Sequence, residues 1–135
     1  MRLQYHLIAS LALAAVFYPY YGIHSLLALS GFFIDVDHYI TYVIERKDIS
    51  LRRAYHFCLG NRYSNVLCVF HSAEFVVGLS AVSLFSPVLF IAVAGVLLHL
   101  LMDVLCLYSK GRANETKFFV LTLRLMSIHK DKKKR

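Results

Sequence analysis

Apolar runs of near membrane-spanning length, each broken by ionisable side chains, constrain this chain more than any other feature. The interruptions are His6; Asp35, Asp37 and His38 within the stretch from Gly31 to Tyr39; His71 with Glu74; and His99 with Asp103. An ionisable group inside a membrane-spanning segment is costly, and where it occurs it is paired, metal-bound or functional. Composition agrees: 59% of the 135 residues are hydrophobic, against about 45–50% in soluble domains. The expected fold class is therefore all-α, an integral membrane helical bundle of about four transmembrane helices. Residues 1–129 form a single membrane-embedded helical domain in this reading, and residues 130–135 form a basic cytoplasmic tail.

Read in order, the first apolar helix runs from about Gln4 to Tyr18, a retained anchor because no small-residue cleavage pattern follows it. Pro19 and Gly22 mark a turn. A second apolar segment spans about Ile23 to Ile44, and a polar, basic stretch from Glu45 to Arg62 reads as a surface loop with a short interfacial helix. The third run covers about Ser64 to Phe85 and the fourth about Val88 to Tyr108, with Ser86-Pro87 between them. Both are near the roughly twenty residues needed to span a hydrocarbon core. The apolar stretch from Glu115 to Ile128 is shorter, and is expected to form a C-terminal interfacial helix.

Charge sets the expected topology. Arg2 precedes the first run, Arg46, Lys47, Arg52, Arg53 and Arg62 lie between the second and third, and the other nine basic residues follow the fourth. None of the fifteen lies in the Pro19–Gly22 or Ser86–Pro87 turns. The positive-inside rule then puts both termini and the middle loop in the cytoplasm, with the protein in an inner or plasma membrane. This orientation brings His6, the Asp35–His38 group, His71 with Glu74, and His99 with Asp103 to one cytoplasmic depth, although none of them entered the topology argument. Basic residues are not interleaved with aromatics as on a nucleic-acid surface, so the expected partner is membrane lipid and not nucleic acid. Cys58, Cys68 and Cys106 have no C-x-x-C spacing and read as reduced buried thiols.

Spacing supports a shared site. His99 and Asp103 are i and i+4, and His71 and Glu74 are i and i+3, so each pair falls on one helix face. Asp35 and His38 are also i and i+3, whereas Asp37 points elsewhere unless the helix ends there. Imidazole with carboxylate suits a divalent transition metal, zinc first and manganese or iron next, as one or two ions. The expected metal ligands are His6, Asp35, Asp37, His38, His71, His99 and Asp103. Glu74 and Asp37 are the expected catalytic carboxylates, as general base or as orienting group. The plain alternative for His99 and Asp103 is a hydrogen bond that only fixes helix packing. His24 falls at the opposite depth, His56 lies in the basic loop and His129 in the basic tail, so all three read as packing or solvated residues.

His6, then Gly31-x-x-x-Asp35-x-Asp37-His38, then His71-Ser72, then His99-x-x-x-Asp103, resembles the pattern of the predicted membrane-bound metal-dependent hydrolases of YdjM type, over about residues 6–107. The motif order is distantly similar to that of zinc-dependent phospholipase C. The resemblance implies a small bundle of membrane helices that hydrolyses a phosphoester or lipid. Ile34 stands where that family often has Pro. Phe70-His71-Ser72-Ala73-Glu74 stands where it tends to show His-Arg-Gly-x-Thr-His-Ser, so one expected histidine is absent and Glu74 is the candidate replacement. Two rival readings are a metal-ion or proton transport or storage protein, and a non-catalytic membrane scaffold.

Overall fold

A computed structural model describes residues 3–59 and 69–111. The expected interfacial helix from Glu115 to Ile128, the tail 130–135, Arg62, Cys68, His129 and the first part of the third apolar run lie outside the described residues. Among the described residues the regular structure is entirely helical: α1 (Leu3–Tyr21), a 3₁₀ helix (Gly22–Leu29), α2 (Ser30–Phe33), α3 (Val36–Arg46), α4 (Leu51–Leu59), α5 (Ala73–Ser83) and α6 (Leu89–Ser109). Two helical stretches, Leu3–Arg46 and Leu89–Ser109, are long and apolar enough to cross a membrane, and α5 is apolar but shorter.

The first of these stretches doubles back on itself. Gly22 has φ +54°, a left-handed conformation that glycine adopts without the penalty a Cβ imposes. The return brings ligand atoms of His6 and Asp35 within 4.8 Å, whereas a straight helix would separate residues so placed by about 43 Å. Pro19 stays inside the last turn of α1, so the turn begins later than its position suggests.

The inward face of α1 carries His6, Ser10 and Ala14, while Ile8, Leu11 and Val16 face outward. The same inversion holds elsewhere: Ser25, Ser72 and Ser83 are fully buried, and Ile23, Phe33, Val77, Leu84 and Phe85 are exposed. The apolar core is correspondingly small, with Ala14, Ala28 and Ile91 at its centre and Leu13, Phe17 and Val88 packed around it.

The closest helix approach is between the returning arm and α6. A Cβ on Gly31 would run into the backbone of Gly95, and a Cβ on Gly95 would run into the Ala28 carbonyl. Ser30 seals the crossing by donating its hydroxyl to the Ala92 carbonyl at 2.8 Å. Gly31 lies four residues before Asp35 and Gly95 four residues before His99. The backbone contact therefore sits one helical turn from the ionisable cluster and sets the distance across it.

Candidate metal centre

Four segments deliver the cluster. Asp35, Asp37 and His38 come from the joint between α2 and α3, where the second apolar segment departs from a regular α-helix. There Asp35 N–H donates to Phe32 O (3.4 Å), Asp37 N–H to Ile34 O (3.3 Å) and His38 N–H to Asp35 O (3.1 Å). These i to i−3 bonds tighten the chain to about three residues per turn. The tightening keeps Asp35 and His38 in line and turns Asp37 inward as well, where it is buried. His99 and Asp103 share one face of α6, as their spacing predicts, with His99 Nε2 3.3 Å from Asp103 Oδ2. His6 closes the group from α1, its Nε2 3.3 Å from Asp103 Oδ1 and its ring stacked on that of His99 at 3.8 Å.

The fourth segment corrects the sequence reading of the third run. His71 does not lie on a helix: α5 begins at Ala73, and Ser72 is its extended N-cap (φ −95°, ψ 148°). The Ser72 hydroxyl accepts from Phe75 N–H at 3.1 Å and donates to Val69 O at 2.8 Å. A serine side chain that satisfies an orphan donor at N3 starts a helix there. With no helix through residues 71–74, the i, i+3 face expected for His71 and Glu74 does not exist. Glu74 sits exposed in the first turn of α5 and belongs to none of the clustered groups.

Around His71 and His99 the donor atoms converge. His71 Nε2 lies 3.1 Å from His99 Nε2, 3.4 Å from Asp35 Oδ1 and 3.9 Å from Asp103 Oδ2. His99 Nε2 lies 3.5 Å from Asp35 Oδ1. Ligand bonds of about 2.0–2.1 Å to one tetrahedral ion would set donor atoms about 3.3 Å apart, the middle of this range. Three overlapping groups, Asp35 with His38 and His71, His71 with His99 and Asp103, and His6 with Asp35 and His99, each bring three donor atoms within 4.8 Å of one another, without a lysine or arginine partner to Asp35 among the described residues, and could hold a metal ion. His38 extends the group, its Nε2 3.6 Å from Asp35 Oδ1 and its ring 4.5 Å from that of His71.

Of the parts expected for Asp37, ligand, general base or orienting group, its contacts fit the last. Its Oδ2 accepts from the Phe70 backbone N–H at 3.1 Å and from His71 Nδ1–H at 3.0 Å. That second bond fixes the His71 tautomer and leaves the Nε2 lone pair aimed at the cluster centre, as carboxylates behind metal-bound imidazoles do. Asp37 thus orients a ligand and lies outside the groups whose donors converge. Among the described residues, the buried polar atoms His6 Nδ1, His99 Nδ1 and Asp37 Oδ1 have no hydrogen-bond partner.

No family model, no curated protein and no solved structure matches the chain. The site is therefore read from its own geometry. His24 and His56 are exposed and away from the cluster, as their positions imply. Cys58 and Cys106 are half-buried and neither is in a disulfide. The glycine pair Gly31 and Gly95, Ser72 and the Phe70 backbone N–H are the positioning elements that sequence reasoning missed. The recurring Gly-x-x-x-(Asp/His) spacing before Asp35 and His99 was the available signal for the first two.

Proposed function

We propose that the chain is an integral membrane metal-dependent hydrolase that acts on a phosphoester, a lipid of the cytoplasmic leaflet. The observation that carries this reading is the convergence of His71 Nε2, His99 Nε2 and Asp35 Oδ1 at 3.1–3.5 Å from one another, with Asp103 Oδ2 3.3 Å from His99 Nε2 and 3.9 Å from His71 Nε2. The donor set favours zinc, with manganese or iron as alternatives. Asp103 has a second oxygen turned to His6, which leaves room for a second ion.

The membrane reading rests on the inverted distribution of side chains, with serines and imidazoles inside and isoleucine, valine and phenylalanine outside. Small and polar residues at helix contacts with apolar residues outward are the pattern of helices packed in lipid. In this reading the two arms of Leu3–Arg46 are the first two spans and α6 is the last, with the shorter apolar helix α5 between them. The basic residues then hold both termini and the middle loop in the cytoplasm.

When bound, the metal would polarise a phosphoryl oxygen and lower the pKa of water. The chain's own residues do the rest. His71, His99, Asp35 and Asp103 hold the ion, Asp37 fixes the tautomer of His71, and His6 fixes Asp103. His38, Asp35 and Asp103 keep 20%, 19% and 16% of their side-chain surface, whereas His6, His71 and His99 are closed off. A headgroup phosphate enters there, and His38 at that edge can take the proton of the attacking water and return it to the leaving oxygen.

Elemental analysis of the detergent-purified protein, followed by phosphoester and lipid assays, tests the reading. One or two equivalents of a transition metal are expected in wild type, with loss in Asp103→Asn and His99→Ala. No metal after reconstitution with zinc or manganese would put the helix-packing reading in front, with the His71–His99 contact as its interhelical hydrogen bond.

A further inference from the structure

We infer that the corner between α3 and α4 is a docking surface for anionic phospholipid headgroups, with α4 lying flat at the membrane interface beside the metal cluster. The inference rests on the membrane reading above and is independent of any metal or hydrolytic activity.

The corner is built rigidly. Lys47 ends α3 in a left-handed conformation (φ 52°), and its N–H donates to Val43 O at 2.9 Å. The Tyr39 hydroxyl donates to Ile49 O at 2.8 Å, and the Tyr42 hydroxyl donates to the Asp48 carboxylate. Asp48 also accepts from Ser50 N–H at 3.1 Å and from Arg53 at 3.1 Å. On α4, Ala54 is buried, and the Phe57 ring packs 5.4 Å from Tyr42 with the Arg46 guanidinium over it.

These contacts use one side of α4 and leave another unpartnered among the described residues. Leu51 and Tyr55, at i and i+4, form an exposed apolar stripe, and Ile49 and Ile44 continue it with 78% and 72% of their surface exposed. Arg52 and His56 lie next to that stripe on the helix, and Lys47 is exposed at the corner before it. Arg53 is engaged by Asp48, but neither Lys47 nor Arg52 has an ion-pair partner among the described residues. A short helix with an apolar stripe flanked by free cations is suited to lie in a headgroup layer, apolar side toward the acyl chains. Negative headgroups complement the cations, each worth about a fivefold gain in partitioning near an anionic surface. Position agrees: Tyr42, which holds the corner, is one helical turn beyond His38, at the end of the bundle that carries the cluster.

The chain contains no tryptophan, so Leu51→Trp provides a single reporter in the full-length protein. It would be reconstituted in phosphatidylcholine vesicles with and without phosphatidylglycerol, metal-loaded and chelated. The expected result is a blue-shifted emission, quenched by brominated acyl chains, that is stronger with phosphatidylglycerol and unchanged by chelation. Lys47→Gln together with Arg52→Gln should remove the phosphatidylglycerol dependence. Inorganic phosphate should compete no better than chloride at equal ionic strength. Equal emission and quenching in both vesicles, or release by inorganic phosphate alone, would overturn the inference. If Leu51→Trp does not fold, Tyr55→Trp on the same stripe reports the same outcomes.

Discussion

Asp37 influences the cluster through another residue, and that makes its role separable from a ligand's. Its Oδ2 sits 3.0 Å from His71 Nδ1 and 3.1 Å from the Phe70 N–H. In Asp37→Asn the amide can present its NH₂ to Nδ1, which moves the imidazole proton to Nε2 and blocks that donor. Metal affinity should fall by about 10–100-fold, the usual cost of losing such a partner, while the metal stoichiometry at saturation is retained. Asp103→Asn should instead lower the stoichiometry, and a competitive chelator titration separates the two. His6, His99 and Asp103 were legible in the sequence because they lie on regular helices, where spacing gives the face. Asp37 was named as a site residue on the condition that the helix ends there, and the 3₁₀ turn meets that condition; the shared face of His71 and Glu74 was not legible, because it assumed a regular helix where the chain makes a capped start.

At the level of elements, two joints decide whether those side chains meet. The crossing of Gly31 on Gly95 has no space for a Cβ on either residue. Gly95→Leu should therefore cost about 1–3 kcal/mol by overpacking, and it should also separate Asp35 from His99. Thermal unfolding in detergent reads the first effect and metal content the second. The other joint is the α3–α4 corner, where Asp48 is held below the usual carboxylate range, first by the Tyr42 hydroxyl and then by the Ser50 N–H and Arg53. A carboxylate with a lowered folded-state pKa contributes stability above its unfolded value of about 3.9 and loses that contribution as pH falls through the folded value. The corner should hold unchanged from neutral pH to about 4 and open only in stronger acid, an opening that Asp48→Asn mimics at neutral pH. A tryptophan reporter on α4 measures both. The helical class and the α6 boundaries were readable from hydropathy alone. The break of the second segment into three helical pieces was not, because no proline marks it and Asp35, Asp37 and His38 read as site residues rather than as a joint.

Across the whole molecule, little apolar packing holds the helices to one another. The central core amounts to Ala14, Ala28 and Ile91 with three partly buried neighbours, and the large side chains point outward. In the proposed membrane setting, lipid would not drive helices together as water does, so close packing and polar contacts would carry the association. The His/Asp cluster is where α1, the α2–α3 joint, the segment before α5, and α6 all meet. An ion bound there would tie four segments that are otherwise joined by glycine and serine contacts. Binding to the folded state alone stabilises it by about 2.7 kcal/mol at a free metal concentration of a hundred times Kd. The detergent-solubilised protein should therefore melt at a higher temperature with zinc than with chelator, and the increment should grow with metal concentration. Asp103→Asn should abolish the increment, and Asp37→Asn should shift it to higher metal concentration without removing it. The hairpin of the first two arms should survive chelation, since Gly22 and the Ala14–Ala28 contact do not involve the cluster. Loss of contacts on chelation should instead concentrate at Phe70–Ser72, whose link to the α2–α3 joint runs through Asp37. Hydrogen exchange on chelated and metal-loaded protein would locate it, and uniform loosening of all helices would show that the cluster is not the point of attachment.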